Sequence, residues 1–466
     1  MSFRLDSNPW LHPAGSLHFT GIGGAGMSAL AWAALDRRIA VTGSDLLESP
    51  QVGRLRRDGA DIVVPHGSLS GTPEAVIFSS AVADDNPELN EARRRCIPVI
   101  HRSQLLAALF ASKRSLAVAG SHGKTSVSSL LAWILIQADL QPAYAVGGLI
   151  LGLERNGGWG KGNFLVAEAD ESDGSFCRLS PDLALVTGVE LDHVRRYPDL
   201  ASLREAFAGF VGQLRPGGTL IFPEEDSWLR TALPASARAI PFGSGPGPGY
   251  RMKAARQVGT QVRFDLTFPP GKTVPAAVPG FGRIAAVNAL AAAAAAGEQG
   301  VPEEKVIAAL ATYPGVARRL EVKLGTGDIR LIEDYAHHPT EVAAAVAAVR
   351  GAGGGRLVVV FEPHRYSRLK RFHRELAESL LEADEIVVAE LYGAFEPVLA
   401  GIDSGLLARE LESLGRRPRG PFSIPELDDF LPGFLRSEDT ALLMGAGRIT
   451  GTAARLQAAL AKKAKG

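Results

Sequence analysis

Cysteine is almost missing from this chain: Cys96 and Cys177 are the only two in 466 residues. Two thiols cannot build a disulfide framework, and no cationic, apolar leader opens the sequence, so a reducing cytoplasm is the expected home. An excess of either charge is missing too, since Lys plus Arg and Asp plus Glu each total 50. That balance argues against nucleic acid or an anionic membrane as the main partner, and any anion site must be local. Uninterrupted apolar runs of about 18 residues, the length of a membrane span, are absent. The alanine-rich stretch 289–296 is too short and reads as packed helix.

What the chain does have is length for about three domains, taking roughly 150 residues for each. Two strand-turn-helix signals stand out. Residues 115–119 form a short apolar run that ends in Gly120-Ser121-His122-Gly123-Lys124-Thr125-Ser126, after which Val127, Leu130, Leu131, Ile134 and Leu135 recur at helical spacing. A helix N-terminus after a glycine turn faces an anion with free N–H groups. Lys124 would add charge for outer phosphates and Thr125 a hydroxyl for Mg2+. Val118 stands where the common phosphate loop has its first Gly, so this is a shortened form. The other signal is Gly21-Ile22-Gly23-Gly24-Ala25-Gly26 after an apolar strand, with Asp45 placed 19 residues past Gly26. It fits a dinucleotide fingerprint, yet a UDP-sugar offers the same diphosphate as NAD. Both readings stay open on this motif alone.

Strand-like runs at 163–169 and 183–189 place the Gly120–Ser126 loop in a parallel, doubly wound α/β segment. Alternating residues between about 250 and 278 predict a small antiparallel insert. Beyond a break at 313–315, strands at 330–334, 356–361, 385–389 and 441–444 predict a third α/β segment. Glu168-Ala-Asp-Glu-Ser-Asp173 crowds four carboxylates at a strand end. Such charges repel without a cation, which points to Mg2+ shared with phosphates. His193, in Glu190-Leu-Asp-His193, is a further candidate ligand. In the third segment Asp334-Tyr-Ala-His-His-Pro-Thr-Glu341 and Pro363-His-Arg-Tyr-Ser-Arg368 close two strands. Arginines there could hold a carboxylate, and His or Asp could orient an amine. Zinc is disfavoured for His337 and His338, because adjacent side chains diverge and no Cys or Glu at ligand spacing completes a set.

Together these strings resemble the Mur ligase family over nearly the whole chain, from Gly21 to Gly447. The resemblance implies a three-domain α/β architecture: a Rossmann-like UDP-sugar domain at 1–111, a P-loop ATPase domain at 112–314 and a Rossmann-like amino-acid domain at 315–466. It implies ATP-dependent ligation of L-alanine to the lactoyl carboxylate of UDP-N-acetylmuramate through an acyl phosphate, with ATP and Mg2+ bound. The alternatives are recycling ligation of a tripeptide, a catalytically weakened UDP-sugar binder and, more remotely, an NAD-dependent oxidoreductase. By carry-over, Gly23, Gly24, Ala25 and Gly26 cradle the diphosphate with Ser44 and Asp45 nearby. Gly120 to Ser126 and Asn288 hold ATP, while Thr125, Glu168 and His193 hold the metal. Lys124, Glu168, His193, Arg319 and Asp334 serve the transfer, and Tyr335, His337, Arg365 and Arg368 face the amino acid. Four places depart from the family pattern. Ile284 and Ala285 replace a His-Asn pair that contacts adenine, Gly188 replaces an Asn, and Arg448 follows the final Gly-Ala-Gly in place of Asp or Asn.

Overall fold

The computed structural model describes residues 15–69, 71–323, 329–394 and 396–463. The start of the chain, where a leader was sought, lies outside them. Three sheets follow one another along the sequence. The first has five parallel strands in the order Asp61–Val63, β2 (Ala40–Ser44), β1 (Ser16–Thr20), Ala75–Phe78, Val99–His101. The helix α1 (Ala25–Asp36) starts directly at the glycine turn after β1. It is apolar nearly all round because it is covered on two sides: Trp32 lies in the core, and its far face meets the second sheet.

The second sheet has ten strands. Its parallel centre carries β3 (Arg114–Ala119) between β4 (Phe164–Glu168) and β5 (Leu183–Val186). From β3 the chain turns into α2 (Lys124–Gln137), whose face of Val127, Leu130, Leu131, Ile134 and Leu135 is buried as its spacing requires. The antiparallel strands Tyr250–Val258, Gln261–Phe268 and Lys272–Pro279 form where alternation predicts them, but they are not a separate insert. Arg238–Gly243 pairs in parallel with Tyr250–Val258, which makes the three strands one wing of the same sheet. Local alternation marks an antiparallel strand but carries no sign of the neighbour at its edge. The alanine run lies in α3 (Gly282–Glu298), wedged between α2 and that wing, with Ala291 to Ala296 essentially inaccessible. Methyl side chains let the helix axes approach closely.

The third sheet has six strands, with β6 (Arg330–Asp334), β8 (Thr440–Met444) and β7 (Leu357–Phe361) adjacent and parallel at its centre. The helix α4 (Pro339–Gly351) follows β6, and α5 (Tyr366–Ser379) follows β7. The first and second bodies touch closely. A Cβ placed on Gly157 would sit 2.2 Å from the backbone oxygen of Ala29 in α1, so only glycine fits. Asn156 beside it donates to Ala25 O and accepts from Ser28 Oγ. The third body joins through Ala317 N–H to Leu149 O and through side chains that line the cleft described next.

Candidate active site

A cavity of about 700 Å³ lies where all three bodies meet. Gly24, Ala25 and Gly26 reach it from the first, Ser121, Gly123, Lys124, Thr125, Glu168 and His193 from the second, and Arg319, Tyr335, His337, Arg365 and Arg368 from the third. Sequence positions more than 300 residues apart thus share one chamber.

The phosphate loop is built as its sequence demands. Gly120 adopts φ +135°, and a Cβ there would collide with Thr187 Oγ1 at 2.1 Å. Ser121 N–H donates to Gly188 O and its hydroxyl to Glu190 O, so the loop is tied to the strand end that carries His193. Gly123 starts α2 in the left-handed region with Asn288 Oδ1 packed against it. His122 and Ser126 flank the loop, half-buried. Lys124 Nζ donates to Gly120 O and to Glu171 Oε1, 2.9 Å away. Burial pushes its ammonium down, but Glu171, Asp170 and Glu168 outweigh that and hold it above its ordinary value. Glu171, only 1 % exposed, is the counter-ion that sequence reasoning missed; it lay unassigned inside the acidic cluster.

Glu168 Oε2 accepts from Thr125 Oγ1 and from Gly147 N–H, both at 2.9 Å. Burial pushes its carboxyl up. His193 does not complete that pair: its Nε2 lies 3.3 Å from Glu171 Oε1, and it groups with Asp170 and Glu171. The expected trio of Thr125, Glu168 and His193 is therefore two neighbouring clusters, because the chain turns between Glu168 and Glu171.

In the first body Gly23 N–H donates to Asp45 Oδ2 at 2.8 Å, so the carboxylate itself rests on the glycine turn. Ser44 stands beside the turn through its backbone, its carbonyl accepting from Gly21 N–H and Ile22 N–H at 2.8 and 2.9 Å. Its hydroxyl is buried, donating to Glu88 Oε2 at 2.6 Å beside His66. Glu88 also receives Thr20 Oγ1 and approaches His18 Nε2. Burial alone would raise its pKa, but the bonds from His18, Ser44 and Thr20 prevail and hold it at about 2. A depressed folded pKa stabilises fully above the unfolded value near 4.5 and is lost as pH falls towards 2, on the order of 3 kcal/mol. Glu88→Gln should remove that acid-linked loss. A shift of the urea midpoint between neutral pH and pH 3 that is the same in both proteins would refute it.

In the third body Asp334 stands behind the cavity, its oxygens accepting from Leu320 N–H and Ala336 N–H. Burial pushes it up to about 6 against the pull of Arg319. It thereby shapes the turn that aims Arg319. The guanidinium groups of Arg318 and Arg319 both lie over the Tyr335 ring, 4.7 and 5.0 Å from its centre. His337 Nδ1 lies 2.8 Å from Tyr335 O, and burial with Arg368 nearby lowers its pKa to about 3. Arg365 holds φ +70°, a strained value for a side chain of this size, kept by its N–H bond to Tyr392 O and by Glu396. Arg368 reaches the chamber and also makes a contact that its sequence position does not reveal. It is buried and donates from Nη2 to both oxygens of Asp192 in the second body, at 2.9 and 3.1 Å, which ties the third body to the second. His337 and His338 diverge as expected, but His338 meets His122 and Glu190 across the domain boundary. Distance along the chain hides that set.

Three family models match this succession of folds: the Mur ligase family catalytic domain over 16–114, the Mur ligase middle domain over 118–296 and the Mur ligase glutamate ligase domain over 318–447. The chain belongs to the Mur ligase family.

Within the family it is 38% identical over 462 residues to the UDP-N-acetylmuramate–L-alanine ligase of Stenotrophomonas maltophilia (strain K279a), spanning 97% of this chain and 96% of that one. It is 39% identical over 451 residues to the protein of the same name from Xylella fastidiosa (strain 9a5c), 94% of each. The structure of UDP-N-acetylmuramate-alanine ligase from Thermotoga maritima superposes with a TM-score of 0.82 at 26% identity, covering 97% of this chain and 99% of that one. A murein peptide ligase from Psychrobacter arcticus 273-4 shares the fold, with a TM-score of 0.72 at 23% identity over 96% and 99%. The four departures from the Mur pattern, Ile284, Ala285, Gly188 and Arg448, stand outside the lining of the chamber. Ile284 is exposed at the start of α3, with Ala285 beside it. Gly188 gives its carbonyl to the phosphate loop, and Arg448 donates its N–H to Glu362 while its guanidinium covers Tyr392.

Proposed function

We propose that the chain ligates L-alanine to the lactoyl carboxylate of UDP-N-acetylmuramate, converting ATP to ADP and phosphate, as a step of peptidoglycan precursor synthesis. The observation that carries this reading is the convergence of a diphosphate cradle, a phosphate loop with a paired lysine and an arginine-histidine wall on one chamber. Near-full-length identity to relatives named for that reaction supports it. Units of 1–111, 112–314 and 315–466 serve sugar nucleotide, ATP and amino acid in turn. No helix among the described residues is long and apolar enough to cross a membrane. The reading places the enzyme in the cytoplasm with its nucleotides, as a monomer or homodimer.

Carboxylate and amine do not condense in water, so the carboxylate first takes the γ-phosphoryl group. The backbone N–H groups of Gly23, Gly24, Ala25 and Gly26 hold the UDP diphosphate once Asp45 yields Gly23. Lys124 leaves Glu171 for the β- and γ-phosphates, while the loop N–H groups and Arg319 meet the charge that builds on the transferred group. Thr125 and Glu168 lie together among crowded acids, a donor set that suits a hard cation. Mg2+ held there, with His193 alongside, supplies charge neutralisation of the phosphates when bound. His337, neutral at physiological pH with Nδ1 on a carbonyl, presents Nε2 as acceptor for the alanine amine. Arg365 suits the alanine carboxylate. Closure of the third body over the chamber keeps water from the acyl phosphate.

Phosphate release tests the proposal. Release is expected only when ATP, Mg2+, UDP-N-acetylmuramate and L-alanine are all present. No release with alanine, with release on adding a tripeptide, would assign the chain to recycling.

A further inference from the structure

We propose that His122, Glu190 and His338 form a site for a borderline transition-metal ion such as Zn2+ or Co2+, clamping the third body onto the second. This site is separate from the magnesium position and does not depend on the ligase reading. One ligating atom from each of the three residues lies within 4.8 Å of the others. Two imidazoles and one carboxylate are a set that hard Mg2+ passes over and Zn2+ or Co2+ accepts.

The surroundings of each ligand are those of a metal site. His122 Nε2 lies 3.2 Å from Glu190 Oε2, while its Nδ1 lies 3.2 Å from Glu341 Oε1 on the opposite side of the ring. A carboxylate behind a ligating histidine fixes its tautomer and orientation, and Glu341 is so placed. Glu190 is held by its other oxygen, Oε1, which accepts the Thr340 hydroxyl. His338 is 2 % exposed, and among the described residues its Nε2 has no hydrogen-bond partner. A buried ring nitrogen with nothing to bond is costly unless something comes to it. The His122 and His338 rings already lie side by side with centroids 4.8 Å apart.

Ligand atoms around a tetrahedral zinc stand roughly 3.4 Å apart, given bonds of about 2.0–2.2 Å. His122 and Glu190 meet that spacing, and a small rotation of His338 brings the third atom in, with water as the fourth ligand. Ligation through Nε2 puts the proton of His338 on Nδ1, which now accepts from Thr340 N–H at 3.4 Å. So long a contact contributes little and is readily given up. His122 and Glu190 come from the second body and His338 from the third, so a bound ion fixes the closed arrangement and slows any step that needs opening.

Co2+ titration of the full chain, with excess Mg2+ present, tests the site. The expected result is one equivalent bound with the visible d–d bands of low-coordinate cobalt, displaced by one equivalent of Zn2+. His338→Gln and Glu190→Gln should each weaken binding by at least about a hundredfold, since even outer partners of a metal ligand are worth about 10–100-fold. His193→Ala should leave the bands unchanged. Absence of the bands in the wild-type chain, or bands that survive both substitutions, overturns the site and leaves His122 as an ion pair between carboxylates. Bands lost in His193→Ala but kept in His338→Gln place the cobalt with Asp170 and Glu171, and overturn it equally.

Discussion

Lys124→Ala is expected to lower turnover by about a thousandfold or more while leaving affinity for UDP-N-acetylmuramate nearly unchanged. Among the described residues the ammonium is the one lysine charge in the chamber, and it is drawn to Gly120 O, Ser121 O and Glu171 while waiting for phosphate. Removing it strips the transferring group of its nearest mobile cation. It also leaves the buried Glu171 without its lysine counter-ion, so some loss of stability accompanies the loss of rate. The cradle at Gly23 to Gly26 belongs to another sheet and should not feel the change. Kinetics and isothermal titration with the sugar nucleotide check both halves. A variant that no longer binds the sugar nucleotide would contradict the division of labour between the two bodies.

The buried pair of Arg368 and Asp192 should give the second large effect. Truncating either partner strands the other charge in a dry interface, at a cost of about 3–5 kcal/mol. The double variant should cost less than the sum, with a coupling measurable by a double-mutant cycle. All five tryptophans lie at or before Trp228, so their fluorescence reports poorly on the third body. Amide hydrogen exchange in β7 and α5 is the better measure. Kinetics add a discriminating arm. If the pair latches the domains, Arg368→Ala and Asp192→Ala change turnover alike. If Arg368→Ala alone raises KM for alanine, the arginine serves the substrate as its place after β7 suggested.

The parts of the site readable in the sequence are those made by one short stretch of backbone. A glycine turn between an apolar strand and an amphipathic helix fixes where Lys124 and Thr125 stand, and the structure puts them there. Glu168 was legible for the same reason, standing at the end of β4 next to the loop. What stayed hidden depends on contacts between elements far apart in the chain. Glu171 pairs with Lys124, Asp192 with Arg368, and His338 with His122, and no periodicity encodes such meetings. Ser44 divides the same way: its place at the end of β2, beside the glycine turn, follows from local sequence, while the bond from its hydroxyl to the buried Glu88 does not. The antiparallel character of residues 250–278 was legible from alternation, while their place in the ten-stranded sheet depended on Arg238–Gly243 as the strand that bridges them.

The alanine run in α3 looks like the most dispensable part of the chain, a low-information repeat where drift would seem harmless. Its burial between a helix and a sheet reverses that impression. From Ala291 to Ala296 every residue except glycine is larger than the one present, and there is no direction in which a larger one can grow. Related sequences should therefore vary least where this one is plainest. A saturation scan of these six positions would read as a ruler of how closely two layers can approach.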